Sequence, residues 1–324
     1  MQNILLIGGA GYIGTVVADY FSKKNYNVKI IDNLIYNNPS SKEFLQLNKK
    51  IPFLNCDIRN INPDNEFFKN VDAAVLLAGL VGDPITKKYP KLSEEINNNG
   101  NKIIIDALAI SGIKKLVYIS TCSNYGLIPD DALADEEYIL NPISLYAKSK
   151  VYIEKYILSQ NINNFSKTIL RFATAFGPSP RMRFDLTINE FIYEMLHNKK
   201  LLVFDPDTWR PYCHVLDFAR LIELVINSKN EVVNNQIFNA GSDENNFTKR
   251  QIVNLITKYV TGCNIEFQEH GQDPRNYKVD FKKVREKLNF RANFDFQNCI
   301  EDLISFIDQF KEINKKEYGN YFID

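Results

Sequence analysis

Histidine is scarce in this chain, with three in 324 residues, which is too few for a histidine-rich metal site. The five cysteines, Cys56, Cys122, Cys213, Cys263 and Cys299, form no CxxC pair and no metal-ligand spacing. They read as reduced thiols rather than as a disulfide framework. Net charge is lacking too: 39 basic residues balance 39 acidic ones, and no basic block stands out. That argues against nucleic acid or a membrane surface as partner. No apolar run approaches the ~20 residues needed to span a bilayer. The apolar start, Met1 to Gly14, has no basic segment and no small-residue cleavage pattern, so no signal peptide is expected. Together these absences predict a cytoplasmic, metal-free protein.

The apolar fraction, 45%, is ordinary for a globular chain, and the length favours two lobes. Short apolar runs alternate with helical patterns through the first half. Strands are expected at Asn3–Ile7, Asn27–Ile31, Pro52–Leu54, Ala73–Leu77, Lys115–Ser120 and Lys167–Phe172. Helices are expected at Tyr12–Lys24, Ser93–Ile110 and Ser144–Ser159. Near-continuous apolar strands separated by helices imply a parallel sheet covered on both faces, an α/β doubly wound (Rossmann) architecture. Near Thr174 the rhythm changes, and helices are expected at Leu186–His197, Val215–Asn227, Lys249–Tyr259, Phe281–Leu288 and Asn298–Phe310. This reads as a dinucleotide-binding domain over 1–174 and a smaller α/β lobe over 175–324, some of whose strands return to the first sheet.

Between the first strand and first helix runs Gly8-Gly9-Ala10-Gly11-Tyr12-Ile13-Gly14. Glycines at 8, 11 and 14 allow a tight turn and close approach of the backbone to a pyrophosphate. The helix N-terminus then favours the phosphate charge. The turn lacks the Gly-Lys-Ser/Thr ending of a nucleoside-triphosphate site. Asp32 closes the second strand, where a carboxylate accepts bonds from ribose hydroxyls and repels a 2′-phosphate. Asn33 to Ser41 contains no Arg or Lys, so NAD is expected over NADP. Asp57, after the third strand, is placed to meet an adenine amino group.

Tyr146 and Lys150 stand four apart on an expected helix, so both side chains share one face. A free tyrosine has a pKa of about 10, and service as a base near neutrality needs a fall of roughly 3 units, or about 4 kcal/mol. A lysine cation and a positive nicotinamide ring together supply such a preference. With 17 tyrosines in the chain, the pair needs support. It comes from Tyr118-Ile119-Ser120-Thr121-Cys122-Ser123-Asn124-Tyr125-Gly126, at a strand's carboxyl end where such sheets hold ligands.

Taken together, the glycine turn, the strand-end aspartate, Ser-Thr-x-Ser and Tyr-x-x-x-Lys resemble the extended short-chain dehydrogenases, the NAD-dependent sugar epimerases and dehydratases, from Asn3 to about residue 312. The resemblance implies Tyr146 as general base, Lys150 on the nicotinamide ribose and Thr121 on the reacting hydroxyl. It implies Gly8, Gly11, Tyr12 and Ile13 at the pyrophosphate, Asp32, Asn33 and Leu34 at the ribose, and Asp57 and Ile58 at the adenine. Leu77, Ala78 and Gly79 follow the cofactor, and Asn97 supports it. Ser123, Thr174, Arg210 and Arg275 face the substrate, a nucleotide-diphosphate sugar, with the two arginines on its pyrophosphate. His214 is expected to pack rather than catalyse. The helices at Ser93–Ile110 and Ser144–Ser159 resemble those of the family's four-helix homodimer interface, with Ile153, Tyr156 and Ile157 as compatible apolar residues.

The residues after Thr121 narrow the reaction. The family's 4,6-dehydratases carry Asp-Glu there, its decarboxylases carry Glu at the position of Ser123, and its 3,5-epimerase/reductases carry Cys there with a histidine after Gly177. This chain has Cys122 and Ser123, and no histidine between residues 177 and 196. Oxidation at C4 with hydride passed to NAD remains, as a 4-dehydrogenase or a 4-epimerase. Leu80–Pro84 and Pro178–Asp185 resemble the GDP-manno-heptose 4-dehydrogenases. The non-enzymatic alternative is an NAD-sensing binding protein on the same fold.

Overall fold

A computed structural model describes residues 1–161, 165–269 and 275–323. Seven parallel strands form the central sheet: β1 (Asn3–Ile7), β2 (Asn27–Asp32), β3 (Phe53–Asn55), β4 (Ala73–Leu76), β5 (Lys115–Thr121), β6 (Ser166–Phe172) and, after the short β7 (Thr174–Phe176), β8 (Lys200–Phe204) and β9 (Trp209–His214), the returning β10 (Gln236–Ala240). Their order is β10-β6-β5-β4-β1-β2-β3. The direction reverses between β1 and β4, so the carboxyl ends of those two strands open a crevice, the usual ligand site of such a sheet. Residues in β1, β4 and β6 are almost wholly buried, because helices cover both faces. One face packs on the helices Tyr12–Lys23 and Val215–Asn227, the other on Asn101–Ile110 and Leu145–Ser159.

The first-half elements expected from sequence are present within a residue or two, except that the helix expected over Ser93–Ile110 starts at Pro90 and widens into a π turn at Glu95–Gly100. Such widened turns gather at functional sites, and this one holds Asn97. A helix over Pro39–Leu47, capped by Asn38, was not expected. In the second half, β7 and β9 pair in parallel with β11 (Asn246–Thr248) antiparallel to β9, and β8 pairs with β12 (Asn264–Gln268). These short strands carry little periodicity and pass unnoticed in the sequence. No helix among the described residues is long and apolar enough to cross a membrane.

The outward-facing apolar residues differ from those expected for a dimer face. Ile153 and Ile157 are fully buried within the chain's own core. Ile103, Ile110, Leu145, Tyr152 and Leu158 are the large apolar residues exposed on these helices.

Candidate active site

The glycine turn delivers the chain from β1 into its helix under tight steric limits. Gly8 has φ +82°, and a Cβ there would lie 2.6 Å from Ala78 N. A Cβ on Gly14 would sit 2.6 Å from the Gly9 backbone, so the helix can press on the turn only without side chains. Gly11 caps the helix Tyr12–Lys23 and offers no side-chain acceptor, leaving the first-turn N–H groups for a ligand.

These residues border a cleft of about 1070 Å³. It is lined by Gly8, Gly11, Tyr12, Ile13, Asp32, Asn33, Leu34, Ile58, Leu77, Ala78 and Gly79, and at its far end by Tyr146 and Lys150. Asp32 Oδ2 accepts from Ala10 N at 3.0 Å and Oδ1 from Leu34 N at 2.9 Å. Burial raises its carboxyl above the usual value while those N–H groups pull it down. Each oxygen keeps a lone pair for a ribose hydroxyl.

Two expected cofactor residues stand outside the lining. Asp57 accepts from Arg59 Nε at 3.0 Å and from Asn33 Nδ2 at 3.0 Å. Burial pushes its carboxyl up, but the bonds to Arg59 and Asn33 outweigh this and hold it below the usual range. Its carboxylate therefore orients Asn33 and Arg59 and does not itself border the cleft. Asn97 lies behind the wall: its Oδ1 accepts from Leu80 N at 2.7 Å and its Nδ2 donates to Leu80 O at 3.0 Å. It fixes the loop after β4.

A second cleft of about 1190 Å³ continues from the first, sharing Ile13, Val81, Ile119, Tyr146, Arg183 and Asn320. Thr121, Ser123, Thr174, Arg210 and Arg275 all line it, as the sequence suggested. Thr121 Oγ1 accepts from Ser123 N at 3.1 Å, which leaves its hydroxyl proton for a substrate oxygen. Arg275 donates to Ser123 Oγ at 3.3 Å and pairs with Asp83 at 3.0 Å, so it stands near the reactive end. Asp273 and Pro274, which precede it in the chain, lie outside the described residues. Cys122 is turned away, its Sγ donating to Arg171 O at 3.0 Å.

Tyr146 stands where the two clefts meet. Lys150 Nζ is 5.8 Å from its ring centroid and donates to Ile119 O at 2.6 Å. Burial pushes the lysine down to about 8, against the pull of Glu154. Burial raises the Tyr146 hydroxyl above its ordinary value, Arg183 and Arg275 act against this, and Asp83 acts with it. The protein's own charges therefore do not make a phenolate, and a further cation beside the ring is needed for Tyr146 to act as a base.

Sequence reasoning assigned no role to Arg181, Arg183, Tyr277 or Asn320. Arg183 lines both clefts and is held by Asp185 through two hydrogen bonds of 2.9 and 2.6 Å. Arg181 enters the cofactor cleft from the loop after β7, within electrostatic reach of Asp32. Arg181 lies far along the chain from residues 33–41, which hold no Arg or Lys, and its local signal in sequence is the paired arginines of Pro180-Arg181-Met182-Arg183. Buried Tyr277 shares a hydrogen bond of 3.2 Å with Ser123 and lies under Arg210.

Beneath the junction, Arg171 and Glu154 form an ion pair at 2.8 Å, with side chains 4% and 3% exposed. Ser120 and Asn124 complete the carboxylate's partners at 2.5 and 2.8 Å. His214 caps the helix Val215–Asn227 by accepting from Leu216 N at 3.2 Å and stacks on Phe294. Burial lowers its pKa to about 4, so it is a neutral packing residue.

A doubly wound sheet with a glycine turn at its reversal point and a Tyr–Lys pair at its carboxyl edge defines a nicotinamide-dinucleotide enzyme. The chain matches the model of the NAD dependent epimerase/dehydratase family over residues 4–241, and it belongs to that family, with NAD as cofactor. It is 28% identical to a UDP-glucose 4-epimerase of Bacillus subtilis, covering 92% of this chain and 95% of that one. It is 27% identical to a UDP-N-acetyl-alpha-D-glucosaminuronate decarboxylase of Bacillus cytotoxicus, covering 96% and 98%. Its fold superposes on the Thermotoga maritima UDP-glucose 4-epimerase with UDP-glucose (TM-score 0.83, 24% identity, 96% and 100% covered). It also superposes on the Bacillus cereus UDP-glucuronic acid 4-epimerase with UDP-glucuronic acid and NAD (TM-score 0.84, 23% identity, 95% and 100% covered).

Proposed function

We propose that this enzyme oxidises C4 of the sugar in a nucleotide-diphosphate sugar without losing water or carbon dioxide. The observation that carries this reading is the lining of the second cleft: Tyr146 and Thr121 both border it, and among the described residues no carboxylate there lacks an arginine partner. The two carboxylates lining the substrate cleft, Asp83 and Asp185, are each held by an arginine.

NAD, when bound, supplies the hydride acceptor and a positive charge. Gly8, Gly11, Ile13 and Asp32 would hold it, with Lys150 at its nicotinamide end. Thr121 orients the C4 hydroxyl, and Tyr146 takes its proton as the C4 hydride leaves, giving a 4-keto sugar. Lys150 stabilises the phenolate. Arg210 and Arg275 hold the diphosphate as directed, charged donors, once Arg275 exchanges Asp83 for phosphate.

Return of the hydride to the opposite face gives a 4-epimerase, the reading favoured by the 4-epimerases among the named relatives. Release of the ketone, as in a GDP-heptose 4-dehydrogenase, is favoured by the Leu80–Pro84 and Pro178–Asp185 segments, parts of which line the clefts. The exposed Ile103, Ile110, Tyr152 and Leu158 support a homodimer through their helices. Incubation with UDP- and GDP-hexoses, followed by mass spectrometry and sugar analysis, tests the proposal. A C4 epimer of unchanged mass or a ketone two hydrogens lighter is expected, and a product lighter by water or carbon dioxide overturns it.

A further inference from the structure

The chain after the helix Phe296–Asp308 returns to the site. Phe184 N donates to Tyr318 O at 2.6 Å, and Asn38 Nδ2 donates to Glu317 O. Tyr321 lines the substrate cleft, and Asn320, 6% exposed, lines both clefts.

Asn320 ties three separate segments together. Its backbone N donates to Asp185 Oδ2 at 3.3 Å, its Nδ2 donates to Val81 O at 3.2 Å, and its Oδ1 accepts from Arg181 at 2.8 Å. Val81 belongs to the loop after β4 and lines both clefts. Asp185 is the carboxylate that holds Arg183. Arg181 lies over the Tyr36 ring at 5.4 Å, on the wall facing Asp32.

Arg181 and Arg183 bring like charges together in a buried place, and each keeps its position only where fixed acceptors surround it. Arg183 has a full carboxylate for this purpose. Arg181 has the single amide oxygen of Asn320, and burial together with Arg183 lowers its pKa to about 10. Its unused donors suit an anion in the cleft, and a dinucleotide brings a diphosphate there.

We infer that Asn320 is a positioning residue of the cofactor site, holding Arg181 for the cofactor diphosphate and locking the loop after β4 to the second lobe. The segment 318–321 is thus a strap that completes the site rather than a surface tail. The inference rests on the cleft beside the glycine turn being the NAD site, and it is independent of which sugar carbon is oxidised.

Calorimetric titration of NAD into the cofactor-stripped protein, with no sugar present, tests it. Asn320→Ala is expected to weaken NAD binding about 10- to 100-fold, the scale of one hydrogen bond to a charged group. Arg181→Ala should weaken it as much. The double variant should be no worse than Arg181→Ala alone, because the two act as one unit. Asn320→Asp, which keeps the acceptor, should recover most of the affinity. A purely structural strap would lower the melting temperature and leave NAD affinity unchanged in Arg181→Ala. That unchanged affinity overturns the inference, and it can be read even if Asn320→Ala does not fold.

Discussion

The two clefts that meet at Tyr146 are built by different means. The cofactor cleft takes most of its wall from strand ends and the turns that follow them, and much of its chemistry is backbone: the Gly11 helix start, and the Ala10 and Leu34 N–H groups on Asp32. The substrate cleft is walled by side chains from distant segments that hold one another, such as Asp83 with Arg275, Ser123 with Tyr277, and Arg183 with Asp185. A backbone cradle serves one constant ligand, whereas exchangeable side-chain pairs suit a site whose ligand differs between relatives. The comparison predicts that damage on one side should leave the other largely intact.

The sharpest separation lies at the junction. Tyr146→Phe removes only the ionisable oxygen, so turnover should fall by roughly 10²–10⁴-fold while NAD affinity stays near wild type. Steady-state rates and cofactor titration on the same preparation check this.

Arg171→Leu attacks what both clefts share. Leaving Glu154 unpaired in a site 3% exposed should lower stability by about 3–5 kcal/mol, read by urea denaturation. A loss confined to one lobe, seen as a biphasic transition, would break the picture of a common foundation.

His214 lines neither cleft and probes packing alone. Its folded pKa, about 4, is below the ordinary 6.5, so its contribution is complete above pH 6.5 and is lost as pH falls through 4. His214→Asn should flatten that acid limb, with a difference approaching about 3 kcal/mol near pH 4. Thermal melts from about pH 3.5 to about pH 7, which bracket both values, show whether it does.

Asp32→Ala is the mildest test and touches only the cofactor cleft. NAD should bind about tenfold more weakly and lose its advantage over NADP. An unchanged preference would contradict the assignment of Asp32 to the ribose hydroxyls.

The same contrast explains what could be read from the sequence. The cofactor side was legible because Gly8 to Gly14, Asp32 and Leu77 to Gly79 follow single strands, where spacing along the chain is spacing in space. Asp57 and Asn97 were found, but a position in a motif does not show that one orients Asn33 and the other holds Leu80. On the substrate side, Asp83, Arg183, Tyr277 and Asn320 converge from four segments, and no local spacing announces that. Strand β9 contains Pro211, which argues against a strand in sequence. Ile153 and Ile157 show the remaining limit: an apolar stripe does not say whether it faces its own chain or another.

The central claim is that the hydride leaves C4. Single-turnover reduction of bound NAD should be slower with a nucleotide sugar deuterated at C4, and the deuterium should appear in the reduced cofactor. Equal rates with the C4-deuterated sugar, and label transferred instead from a sugar deuterated at C3 or C6, would contradict the account.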